Sequence, residues 1–218
     1  IPHKQRILRY LDFVDPLAKR IGAVNTVWRK AGKWRGANTD ADGVRVPLEK
    51  RLKLAKSSIL IAGNGGSARS AAFTLASRGA RIAITGRNPD RVRALAKVVD
   101  GEALTPEQAM AKHFDAVIHA TPLGMWPHVE SSFFRETIPG DIVFDFVYTP
   151  QETLLLKTAA SQGKVVIPGL EMFLEQAAGQ FEIFTGEVAP RSVMERAALE
   201  ALAEQQALTQ TAGKGGAH

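Results

Sequence analysis

The chain has 218 residues, 45% hydrophobic and 23% charged, with no cysteine and a formal net charge of +6. Its length is about one and a half times a typical ~150-residue domain, its composition is too apolar for a disordered chain, and no run reaches the ~18 apolar residues of a membrane span. Without cysteine, disulfides, thiolate zinc sites and thiol nucleophiles are excluded, which fits a reducing, cytoplasmic setting. The basic residues are scattered among acids with no Lys/Arg run joined to aromatics, so neither nucleic acid nor a membrane is an expected partner. A small anionic ligand suits this moderate positive field, and no metal site is expected. The sequence opens Ile1-Pro2-His3-Lys4 without an initiator Met or a visible signal peptide, so an internal fragment or a processed chain is expected.

In chain order, Gln5 to Phe13 and Pro16 to Ile21 read as short helices separated by the Asp15-Pro16 breaker. Ala23 to Arg29 alternates as a strand, and Lys30-Ala31-Gly32-Lys33 turns it back into Trp34. Thr39 or Asp40 can cap a helix to about Leu52, which Pro47 would kink or shorten. From Ser58 the pattern becomes strand and helix in alternation. Strands are expected at Ser58–Ala62, Arg81–Thr85, Ala116–His119, Ile142–Phe144 and Val165–Ile167, with helices at Ser67–Ser77, Pro89–Val98 and Thr153–Ser161. Such alternation means βαβ units and a Rossmann-like, doubly wound parallel sheet of the α/β class. An amphipathic helix over Gly169–Phe184 and a last helix from about Val193 to Gln206 follow, and the Gly- and Lys-bearing tail, 206–218, is expected to be disordered.

Gly63-Asn64-Gly65-Gly66-Ser67-Ala68 fits G-x-G-x-x-G/A, and it follows a strand and opens a helix. The first glycine permits the tight turn, the second lets the backbone approach a pyrophosphate, and free amides at the helix start hold the anion. At the next strand end, where an acidic residue would bind the ribose of NAD, stands Arg87, followed by Asn88 and, one turn on, Arg91. Two guanidinium groups match a 2′-phosphate, so NADP(H) is expected over NAD, although Asp90 is close by. The plainer reading of both arginines is a solvated helix start.

Three loops at the strand ends face the nicotinamide end of such a site: Ala120-Thr121-Pro122, Asp145-Phe146-Val147-Tyr148 and Pro168-Gly169-Leu170. Met172 and Gln176 share one helix face beyond the last of them. A methionine on a helix is more often core than ligand contact.

Five motifs occur in one order: Gly22-Ala23-Val24-Asn25-Thr26, Asn38-Thr39-Asp40, the glycine loop, Asp145-x-x-Tyr148-x-Pro150, and Gly169-Leu170-Glu171-Met172-Phe173-x-x-Gln176. Together they resemble the shikimate 5-dehydrogenase family, both its stand-alone form and the dehydrogenase part of fused dehydroquinase–shikimate dehydrogenases, over roughly residues 1 to 195. The resemblance implies an NADP-dependent oxidoreductase that interconverts 3-dehydroshikimate and shikimate in chorismate biosynthesis. It implies Lys4 as catalytic lysine with Asp40 as its partner, substrate contacts from Asn25, Tyr148 and Gln176, and cofactor contacts from Gly63, Asn64, Gly65, Gly66, Ser67, Ala68, Arg87, Asn88, Arg91, Thr121, Gly169 and Met172. The plainer readings are a solvated lysine at position 4 and a helix cap at Asp40.

The implied organisation is the surviving part of a substrate-binding domain (1–40), an NADP-binding domain (41–168) and C-terminal helices returning to the first part (169–205), in a monomer or homodimer. Asn64 and Ser67 stand where the family's glycine loop has alanines, and Gly86 replaces the asparagine of its phosphate motif. The family's Ser-x-Ser carboxylate clamp and the strands before its Pro-x-Lys motif have no counterpart in these residues, so this chain alone is expected to bind NADP(H) but turn over shikimate poorly or not at all. The alternatives are a quinate/shikimate dehydrogenase and a non-catalytic sensor of quinate or shikimate. Retention of both Lys4 and Asp40 argues against the sensor.

Overall fold

The computed structural model of the chain describes residues 3–134 and 136–214. Pro2 of the Pro-x-Lys motif and residues 215–218 lie outside the described residues. A 3-10 turn, Arg6–Tyr10, leads into β1 (Phe13–Val14), α1 (Pro16–Ile21), β2 (Thr26–Lys30) and β3 (Lys33–Ala37). The three strands form a small sheet in the order β1-β3-β2, with β2 antiparallel and β1 parallel to β3. The helix expected over Gln5–Phe13 is therefore a single turn followed by a strand. Pairing overrides helix propensity there: the Asp12 amide donates to Trp34, the Trp34 amide to the Asp12 carboxylate and the Asp15 amide to Gly36. Asp15 then caps α1 by accepting from the amides of Leu17 and Ala18, with Pro16 in the first turn.

α2 (Asp40–Glu49) carries the chain to the large sheet. Pro47 sits in its last turn, where the missing amide denies the Gly43 carbonyl its partner, and the helix stops short of Leu52. There follow β4 (Ser58–Ala62), α3 (Gly66–Ala76), β5 (Arg81–Thr85), α4 (Pro89–Val98), β6 (Glu102–Ala103), α5 (Pro106–Met110), β7 (Phe114–His119), β8 (Gly140–Asp145), α6 (Leu154–Ser161), β9 (Val165–Ile167), α7 (Gly169–Thr185) and α8 (Arg191–Lys214). All six strands are parallel, in the order β6-β5-β4-β7-β8-β9. The expected doubly wound sheet is present. The last helix runs past Gln206 to Lys214, so the tail expected to be disordered from 206 is helical that far.

Both faces of the sheet are covered, and alternation along β4 shows how. Ile59 and Ile61 pack with Val44 and Leu48 of α2, Ala71 and Leu75 of α3, and Leu95 of α4. Leu60 and Ala62 join Ala109 of α5, with Leu155 and Ala159 of α6, on the other face. No helix among the described residues is long and apolar enough to cross a membrane.

At the opposite end of β4 from the glycine loop, Asp115 pins the strand to β7. Its carboxylate accepts from the Ser58 amide at 2.7 Å and the Ser58 hydroxyl at 2.8 Å. These two bonds, the amide first, hold its carboxyl below the ordinary value of 3.8. A depressed carboxyl contributes stability that is present above its unfolded value and lost as pH falls through its folded one. Asp115→Asn should therefore cost about 1 kcal/mol at neutral pH. In urea unfolding between about pH 6 and 2, the deficit against wild type should shrink as the carboxyl protonates. A deficit constant across that range would contradict this assignment.

Candidate active site

The strand order reverses between β4 and β7, the place where an open parallel sheet splays its loops to form a crevice. The glycine loop lies there. Gly63 has φ +134°, and a Cβ on it would stand 2.7 Å from the Ala120 carbonyl oxygen, so only glycine fits where the two strand-end loops touch. Gly65 is exposed, with open space where a side chain would be. It precedes α3, whose first turn has no acidic residue and no capping side chain, so its leading amides are free for an anion. Ala68 is fully buried against the sheet, as the third small position of the motif requires. Ser67 is half-buried beside it. The half-buried Asn64 leans over Gly86: a Cβ at that position would lie 3.3 Å from the Asn64 amide nitrogen.

Arg87 and Arg91 are both exposed beside this loop, and among the described residues neither is held in an ion pair. Asp90, the carboxylate that could repel a phosphate, is instead paired with Arg93 at 2.5 Å. Asn88 spends its side-chain oxygen on capping α4, accepting from the Arg91 amide at 3.0 Å. The cap explains Asn88 and leaves its amide nitrogen free.

A second group of polar residues meets the loop from the small-sheet side. Lys4 Nζ donates to Asp40 Oδ2 at 2.5 Å, with the lysine side chain 25% exposed and the aspartate 1%. The backbone of Lys4 is fixed by the Val24 amide, which donates to its carbonyl at 2.8 Å. Its alkyl chain lies 3.6 Å from where a Cβ on Gly66 would stand, which sets the ion pair beside the first turn of α3. The solvated-lysine reading does not describe this side chain. Nor is Asp40 a helix cap, because its carboxylate accepts from Lys4 and from Asn25 Nδ2, the latter at 2.7 Å. Thr39 stands at the N-cap of α2 but its side chain makes no capping bond.

Asn25 is the clamp behind Asp40. Its Nδ2 also donates to Thr39 Oγ1 at 3.0 Å, and its Oδ1 accepts from the Thr39 amide at 2.9 Å and the Thr26 hydroxyl at 2.8 Å. Two donors and two acceptors are thus in use, the full capacity of a side-chain amide. In this arrangement Asn25 orients Asp40.

α7 crosses close to α2, and small residues permit it. A Cβ on Gly43 would stand 2.9 Å from the Met172 carbonyl oxygen, and one on Gly179 would stand 3.2 Å from the Thr39 methyl. Gln176 lies between these contacts, half-buried and 3.5 Å from the Gly43 position, so it reaches the Asp40 end of α2. Met172 is 6% exposed and belongs to the apolar cluster on that face of the sheet. Gly169 is occupied by packing too, since a Cβ there would lie 2.5 Å from the Val147 carbonyl oxygen. Tyr148 is exposed and its ring sits 5.1 Å from that of Phe173, which carries it to the Gln176 side of α7. Thr121, half-buried at the end of β7, accepts from the Leu123 amide and contacts His119. His119 and its bond to Asp145 have no local signal, because the pairing comes from strand register.

The geometry is thus a largely buried ion pair, a dinucleotide-type loop and two exposed arginines around one crevice. Three family models match the chain: "Shikimate dehydrogenase substrate binding domain" over residues 1–27, "Shikimate / quinate 5-dehydrogenase" over 47–126 and "Shikimate 5'-dehydrogenase C-terminal domain" over 169–199. A shikimate dehydrogenase (NADP(+)) of Moorella thermoacetica is 39% identical over 219 residues, covering 93% of this chain and 73% of that protein. A crystal structure of a shikimate dehydrogenase in complex with NADP+ superposes with a TM-score of 0.85 at 35% identity, over 93% of this chain and 75% of the other. The Thermus thermophilus shikimate 5-dehydrogenase, in complex with NADP(H) and shikimate, gives 0.82 at 36% identity, over 92% and 77%. With that identity sustained over nearly the whole chain and the same fold beneath it, the chain belongs to the shikimate dehydrogenase family.

Proposed function

We propose that the protein is an NADP-dependent shikimate dehydrogenase, in which Lys4 and Asp40 handle the proton and residues 41–168 hold the cofactor. The observation that carries this reading is the Lys4–Asp40 pair standing beside Gly66, so that a proton donor and a dinucleotide loop share one crevice. The relatives named above, one of them holding both NADP(H) and shikimate, support the same substrate and cofactor.

The residues present fit a phosphorylated dinucleotide. Uncapped amides at the start of α3 and the open space at Gly65 suit a pyrophosphate, and Arg87 with Arg91 suits a 2′-phosphate once Arg93 has taken up Asp90. Bound there, NADP(H) supplies or accepts the hydride. The chain itself does the rest. As the carbonyl of 3-dehydroshikimate becomes an alkoxide, the Lys4 ammonium stabilises the growing charge and gives up a proton to it. In the reverse direction the neutral amine removes the proton from the shikimate hydroxyl. Asp40 fixes the amine by its 2.5 Å bond, and Asn25 keeps the carboxylate from turning. Gln176 and Tyr148, brought to the same side by α7, are placed to contact the remaining polar groups of the substrate.

Lys4→Ala should lower kcat for NADP+-dependent shikimate oxidation by roughly 100-fold or more, with NADP+ affinity changed little. Unchanged turnover in that variant would sink the mechanism. For the cofactor, Arg87→Ala should weaken NADP+ by about tenfold while leaving NAD+ affinity nearly unaltered. Titration of both nucleotides checks this, and equal weakening of the two contradicts the assignment of the 2′-phosphate site.

A further inference from the structure

His119 ends β7 fully buried, and no step above uses it. Strand register sets it beside Asp145 of β8, and its Nδ1 lies 2.9 Å from Asp145 Oδ1. Both side chains are only 1% exposed. Asp145 has two more donors: the Val147 amide reaches Oδ1 at 3.0 Å and the Thr153 hydroxyl reaches Oδ2 at 2.6 Å. A carboxylate can only accept, so the ring nitrogen that faces it carries a proton. A ring that bears this proton alone presents Nε2 as a bare lone pair, 2.5 Å from Thr121 Oγ1. Thr121 has one O–H, and it must point at His119. Its oxygen also accepts from the Leu123 amide at 3.3 Å, which leaves one lone pair. That hydroxyl is half-buried, one residue beyond the Ala120 carbonyl against which Gly63 packs, at the carboxyl end of the strand.

We infer that His119 is a positioning residue, which through the proton held by Asp145 fixes the Thr121 hydroxyl as an acceptor for the primary amide of a nicotinamide ring. The inference rests on the NADP reading above. A carboxamide at this mouth gives an N–H to the free lone pair. A carboxylate in its place sets lone pair against lone pair. The buried Asp145–His119 pair thus translates a fixed tautomer into a choice between two ligands of the same shape, much as a carboxylate orients the far nitrogen of a metal-bound histidine.

Two measurements test this. In nitrogen-resolved NMR of the protein without nucleotide near neutral pH, His119 should carry its proton on Nδ1 alone. A proton on Nε2, with or without one on Nδ1, overturns the proposal. Calorimetry with NADP+ and with its nicotinic-acid analogue, which bears a carboxylate for the carboxamide, should show wild type favouring NADP+ by roughly tenfold. Thr121→Val and His119→Phe should each reduce that preference to about threefold or less. The half-buried Thr121→Val position keeps the test decisive if the His119 variant does not fold. An unchanged preference in Thr121→Val overturns the proposal. Binding of neither nucleotide by wild type overturns the cofactor reading and this inference together, whereas equal wild-type affinity for both overturns the inference alone.

Discussion

A carboxylate removed from water must be met by donors, and Asp40, with no exposed surface, is the group whose needs organise the crevice. Its two oxygens are served by Lys4 and Asn25, residues from separate segments of the chain. Lys4 is held in turn by the Val24 amide, and Asn25 by Thr26 and Thr39. The start of the chain, the small sheet and the first turn of α2 are thereby drawn to one point. Removing either partner would leave a buried charge short of a donor, so the same contacts that place the amine also keep these segments together.

From that point the arrangement is transmitted by close backbone approaches. α2 lies against α7 because Gly43 and Gly179 leave room for Met172 and Thr39, and this contact puts Gln176 beside the first turn of α2. Arg69 of α3 donates to the Ile21 carbonyl and lays its guanidinium 4.9 Å from the Phe73 ring centre, tying the helix that opens the glycine loop to the end of α1. Burial beside that carbonyl holds the Arg69 pKa below its ordinary value. The glycine loop and Lys4 are therefore held relative to each other by packing as well as by their own contact.

What was legible in the sequence followed local chemistry. An apolar run ending in glycines marks β4 and its loop, Asn88-Pro89 marks the start of α4, and Arg87 with Arg91 marks the charge of that edge. The Thr105-Pro106-Glu107-Gln108 capping box was equally readable as the start of α5, though α5 was not among the expected helices. The rest depends on distance along the chain. Lys4 and Asp40 are 36 residues apart, and His119 and Asp145 are 26, so no periodicity links them. β1 and β6 are two residues each, too short for an alternating pattern and formed only because a longer neighbour offers its edge. Resemblance marked Asn25, while its four hydrogen bonds exist only because the fold brings Thr39 and Asp40 to it.

In the proposed function, the buried Asp40 holds the Lys4 ammonium where the substrate's reacting oxygen will lie. A crystal structure of the protein with shikimate and NADP+ tests it most directly. Lys4 Nζ should lie within about 3 Å of the hydroxyl that is oxidised, with the bond to Asp40 retained. Shikimate bound in the crevice with that hydroxyl turned away from Lys4 would contradict it.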